Sequence, residues 1–150
     1  LDWVILFTTS WILFFILKGW ENLKLTIWSG ILAVVLQMLV DTNAMTHQLY
    51  KIHNCSLKLY GTSVFFVLGP VFVIGMLICK FHPMKRRFRM VNIIVLTILY
   101  SAQEYLLLIR GSLEYMNWHF YDSIIVNTAA MVVISWFDIV VLNRNSDGGI

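Results

Sequence analysis

The chain has 150 residues, 59% of them apolar and 13% charged, with a formal net charge of +3. Soluble domains average roughly 45–50% apolar and about 25% charged, so a water-soluble fold this small would leave much greasy surface uncovered. Two prolines and eight glycines exclude collagen-like and disordered chains. The basic residues gather in gaps between apolar runs, which is an orientation signal for a membrane and not a face for nucleic acid.

Five apolar runs follow one another, at residues 3–17, 25–40, 62–79, 91–109 and 123–142. A span needs about 20 apolar residues to cross roughly 30 Å of hydrocarbon. With flanking residues the runs predict spans at about 3–20, 24–42, 60–79, 91–109 and 122–142. No lysine or arginine precedes the first run and no small-residue cleavage site follows it, so a removable signal peptide is not expected. The runs are continuous and not alternating, and inside lipid a helix pairs its own backbone. The expected fold class is all-α: one polytopic domain over residues 1–150, a bundle of five transmembrane helices.

Lys18 and Lys24 occupy the first gap, Lys80, Lys85, Arg86, Arg87 and Arg89 the third, and Arg144 the tail. These eight basic residues face three, Lys51, Lys58 and Arg110, in the other gaps. The N-terminus is therefore expected outside and the C-terminus in the cytoplasm. Trp3, Tyr50, Tyr60, Trp118 and Tyr121 would form an outer aromatic belt, and Trp20, Trp28 and Trp136 an inner one. The third-gap residues Lys80, Lys85, Arg86, Arg87 and Arg89 read as an anchor at anionic headgroups. In the third span Pro70 predicts a kink, and Gly61 and Gly75 predict close helix approach.

Three spans carry polar or small stripes. The second has Thr26, Gly30, Ala33, Gln37 and Asp41; the fourth Thr97, Tyr100, Ser101 and Glu104; the fifth Ser123, Asn127, Ala130, Ile134 and Asp138. At 100° per residue each stripe covers one side of its helix, and lipid offers it no partner. The three helices are expected to touch along these stripes, either as helix–helix glue or around a lined cavity. Glu104 is the sharpest residue, because an acid within a span faces a bundle interior and needs a partner on another helix. A polar pocket of Gln37, Glu104, Asn127, His119 and His53 is the candidate site. His47 and His53 lack metal-ligand spacing and no HExxH or paired CxxC occurs, so neither a metal nor another cofactor is expected. Cys55 and Cys79 fall at opposite ends of a span, too far apart for a disulfide.

Leu68-Gly69-Pro70, Glu104-Tyr105, Gly111, Leu113-Glu114-Tyr115 and Trp118 together resemble a group of small, uncharacterised multi-spanning membrane proteins of spore-forming Gram-positive bacteria. The likeness covers the C-terminal two-thirds and implies a bacterial plasma-membrane location but no reaction. It singles out Glu104, Gly111, Tyr115 and Trp118. No hydrolase or transferase signature is present. The expected function is therefore non-enzymatic binding of a membrane lipid, of another membrane protein or of a second copy. The alternatives are a small proton-coupled transporter using Glu104, and an intramembrane lipid-modifying enzyme with Glu104 as base beside His119 or His53.

Overall fold

The computed structural model describes residues 1–21, 23–53, 57–59, 62–81 and 86–141. Cys55, Tyr60, Gly61, Lys85 and Arg144, each singled out by the sequence, lie outside them. Each apolar run becomes a helix: α1 (Asp2–Ile16), α2 (Leu23–Thr46), α3 (Val64–Lys80), α4 (Arg86–Ile109) and α5 (Phe120–Val140). By length and composition α2, α4 and α5 can cross a membrane, while α1 and α3 are apolar but shorter. Two small antiparallel pairs complete the fold: β1 (Tyr50–Ile52) with β4 (Leu113–Tyr115), and β2 (Lys58–Leu59) with β3 (Thr62–Ser63).

The helices alternate in direction. At one end the β1–β4 ribbon ties the α2–α3 connection to the α4–α5 connection, with Tyr50 opposite Tyr115 and Ile52 opposite Leu113. Leu49, His53 and Ser112 lengthen it by further main-chain bonds. The Asp2 carboxylate pins the start of α1 to this end, accepting from Arg110 Nε and Ser112 Oγ, each at 2.6 Å. These bonds, Ser112 first and Arg110 second, hold the Asp2 carboxyl below its ordinary range. At the opposite end Lys80 Nζ donates to the carbonyls of Leu17 and Lys18. An ammonium satisfies the orphan carbonyls of a helix C-terminus and complements its partial negative charge. Lys80 thus lies on α1, whereas Arg87 is exposed.

Within α3, residues Val67–Val71 form a π-helical stretch containing Pro70. Proline lacks an N–H and clashes one turn back, and a wider turn relieves the clash. The Phe72 amide reaches the Val67 and Gly69 carbonyls, and the Trp11 indole donates to the Leu68 carbonyl at 3.2 Å. Gly69 lets α1 cross here, since a Cβ at that position would lie 2.8 Å from Phe7 Cα.

The glycine stripe of α2 packs on α3, not on α4 or α5. A Cβ on Gly30 would strike the Phe72 ring and one on Gly75 the Ala33 methyl. Other positions of α2 meet the remaining polar helices, Gln37 through the Tyr100 hydroxyl of α4. At one end the Ser29 hydroxyl bonds the fully buried Asp138 of α5. Two aromatic residues expected at the interface are interior: Trp3 is 2% and Tyr50 8% exposed. The Trp3 indole donates to the His53 carbonyl at 2.9 Å, which lets a polar-tipped ring sit inside. Trp20, Trp28, Tyr121 and Trp136 are exposed.

Candidate functional site

Beneath the ribbon, α2, α4 and α5 part around a polar chamber of about 40 Å³ lined by Gln37, Asp41, Glu104 and Asn127, with Trp3, Tyr50, Phe66, Tyr100 and Trp118 among its walls. Strand alternation roofs it, because Tyr50, Ile52 and Leu113 point inward while Lys51 and Glu114 point out. One water needs roughly 10–15 Å³, so the chamber has room for more than one small polar group.

The fourth and fifth helices build one half. The Glu104 carboxylate accepts the Tyr115 hydroxyl and the Ser123 hydroxyl (2.6 Å) on Oε1, and Asn127 Nδ2 (3.2 Å) on Oε2. Ser123 in turn accepts the Trp118 indole at 2.6 Å. The second helix builds the other half: Asp41 Oδ1 accepts Gln37 Nε2 at 2.8 Å and the Tyr50 hydroxyl. The Tyr100 hydroxyl joins the halves by donating to Gln37 Oε1 at 2.8 Å. Burial raises both ribbon phenols well above their ordinary value, helped at Tyr50 by the Asp41 charge and at Tyr115 by its bond to Glu104. Both remain hydrogen-bond donors at any physiological pH.

A second, mostly apolar chamber of about 30 Å³ continues away from the ribbon between Ala33, Leu36, Ala130, Met131 and Ile134. It shares Gln37, Val40, Tyr100, Val126 and Asn127 with the first. The space nearer the ribbon carries the polar groups and the deeper one is apolar. Among the described residues no lysine, arginine or histidine lines either chamber.

The sequence-derived residues divide accordingly. Gln37, Glu104 and Asn127 meet in the polar chamber. His119 instead precedes α5 as its N-cap, its amide donating to Asp122 Oδ2 at 2.9 Å and its side chain 82% exposed. His53 lies on the outer side of the ribbon, 2.9 Å from Glu114. From sequence, Asp41 stands at the very end of the second span and its stripe, outside the candidate pocket. It is in fact only 2% exposed, because α2 continues to Thr46. Tyr50 reads from sequence only as an outer-belt residue, and Tyr115 is singled out by the resemblance alone. Among the described residues no group of three or more His, Cys, Asp or Glu could hold a metal ion. No protein family, curated protein or solved structure was found to match this chain.

Proposed function

We propose that this is a five-span integral membrane protein that binds a lipid-like amphiphile in the paired chambers. The observation behind the reading is their adjacency: two carboxylates and a ring of aromatic walls stand next to an apolar space, with Gln37, Tyr100 and Asn127 bordering both. Spaces of about 40 and 30 Å³ admit only the tip of such a molecule, its remainder staying in the surrounding membrane. Ligand sites are commonly apolar spaces with a few convergent polar groups.

The alternating helix directions and the tie at each end of α1 support the five-span topology. A 15-residue α1 is about 22 Å long, and a short span is accommodated by local bilayer thinning and by anchors such as Lys18 and Trp20. The distribution of lysine and arginine supports an outer N-terminus, with the ribbon and the polar chamber on the outer side. The resemblance to membrane proteins of spore-forming Gram-positive bacteria supports the plasma membrane.

Two observations favour this over the alternatives. The enzymatic one needs a histidine beside Glu104, and both candidates lie outside the chambers. A proton path would need polar groups deeper than Gln37, Tyr100 and Asn127, and among the described residues the apolar chamber offers none. The test is reconstitution with a phospholipid bearing a photoactivatable group on its acyl chain. Adducts should concentrate on Leu36, Val40, Ala130 and Ile134. Adducts spread evenly over exposed residues such as Ile98, Ile125 and Val132 would refute the reading.

A further inference from the structure

We propose that a slot between α1 and α4 binds the hydroxyl end of a membrane-dissolved lipophilic alcohol. The slot holds neither Asp41 nor Glu104 and stands apart from the amphiphile reading of the paired chambers. Its volume is about 170 Å³. Val73 and Leu77 of α3, each 1% exposed, form its floor. Leu99 and Leu106 of α4 form a rim and are 46% and 54% exposed, so the slot opens sideways, toward hydrocarbon in a membrane.

Two polar side chains line this apolar space, Ser10 of α1 and Gln103 of α4. A hydroxyl in a helix commonly bonds back to the carbonyl four residues earlier, as Thr8 and Thr9 do at 2.8 and 2.9 Å. Ser10, only 3% exposed, does not. Among the described residues neither Ser10 Oγ nor Gln103 Oε1 has a hydrogen-bond partner, and both atoms are buried. The two stand at one level. Asp2 is tied to Arg110; Ser10 lies about 12 Å along α1 from Asp2, and Gln103 about 11 Å along α4 from Arg110. A hydrocarbon occupant would leave both groups unpaired, which is costly for buried polar atoms. A hydroxyl both donates and accepts, so one such group can accept from Ser10 Oγ and donate to Gln103 Oε1. A single water could do the same, but it fills about 30 Å³ and leaves most of the slot without contacts. A cavity of roughly 150 Å³ holds a benzene ring. The slot therefore takes the hydroxyl and about six carbons, and the rest of the molecule passes over the Leu99–Leu106 rim.

The experiment is photolabelling of the full chain in phosphatidylcholine vesicles with a diazirine derivative of hexanol, the adducts mapped by mass spectrometry. Saturable adducts should fall on Leu13, Leu99 and Gln103. The competitors are hexanol, methyl pentyl ether and heptane, matched in size and compared at equal mole fraction in the bilayer, together with hexadecanol. The amount that halves labelling should rise about fivefold from hexanol to the ether, which cannot donate, and about fivefold again to heptane. Hexadecanol should compete as well as hexanol. Ser10→Ala should erase the advantage of the ether over heptane without lowering the unfolding midpoint, because its hydroxyl has no bond to lose. Ala102→Phe, at the exposed mouth of the slot, should block labelling while removing no polar atom. Equal competition by hexanol, ether and heptane in the wild type would overturn selection of a hydroxyl. Competition by hexanol but not hexadecanol would overturn the lipophile as its source. Labelling that does not saturate would overturn the site. Adducts on Leu36, Val40 and Ala130 instead would also overturn it, while leaving the amphiphile reading of the paired chambers in place.

Discussion

Gly75→Ala should loosen the α2–α3 seam by an amount set by geometry. The added methyl would stand 2.6 Å from Ala33 Cβ, 2.8 Å from the Ser29 carbonyl oxygen and 3.0 Å from Gly30 Cα. Non-bonded heavy atoms sit best at about 3.5–4.0 Å, so the shortfall approaches an ångström. Two of the three neighbours are main-chain atoms that no rotamer change can move. α2 must therefore withdraw as a body, and overpacking of this kind costs about 1–3 kcal/mol. Adding Ala33→Gly removes the 2.6 Å contact but leaves the one to Ser29, so the pair should recover part of the loss and not all of it. A coupling of about 0.5–2 kcal/mol is expected, as for residues in contact. Equilibrium unfolding in mixed micelles, followed by circular dichroism, measures both quantities. A Gly75→Ala midpoint equal to wild type would mean that α2 and α3 are not in main-chain contact at this point, and the packing described here would be wrong. The withdrawal should reach Gln37, one turn beyond Ala33, so lipid retention should weaken in parallel.

Gly111 gives the opposite case. It has φ +75° at the end of α4, and a Cβ there meets nothing within 4 Å. Gly111→Ala should therefore lose about 1 kcal/mol from the left-handed backbone alone, with Gly111→Asn losing less, in the same unfolding assay. Asp2 predicts a pH dependence. Its folded value lies below its ordinary 3.8, so its contribution is complete above that pH and disappears as pH falls through the folded value. The stability difference between wild type and Asp2→Asn should be constant from pH 7 to about 5 and close under more acid conditions; a difference unchanged down to pH 2 would show that the carboxylate is not held by Arg110 and Ser112.

The helices were legible because hydrocarbon forces each backbone to satisfy itself, which turns an apolar run into a helix almost regardless of its neighbours. Gln37, Glu104 and Asn127 were legible for a related reason: polar groups in such runs must point at one another. The ribbon was not. Its strands are three residues each and more than sixty positions apart, and their pairing depends on where α2 and α4 end. Because the ribbon was invisible, so was the inward turn of Tyr50 and Tyr115. The α2 stripe was read as one surface, but its small residues meet α3 and its amide and acid meet the chamber. The bulk of each neighbouring side chain decides that split, and single-helix periodicity cannot express it.

The widened turn at Val67–Val71 sets the azimuth of everything after it in α3. An α-helix advances 100° per residue. Deleting one residue from that turn would let it tighten to ordinary α geometry, and the segment from Phe72 to Lys80 would swing by about that angle relative to Val64–Phe66. Gly75 would leave Ala33, and Lys80 would leave the carbonyls of Leu17 and Lys18. One surplus residue thus acts as a rotational shim that lets a single helix follow α1 along its length while turning its second half onto α2.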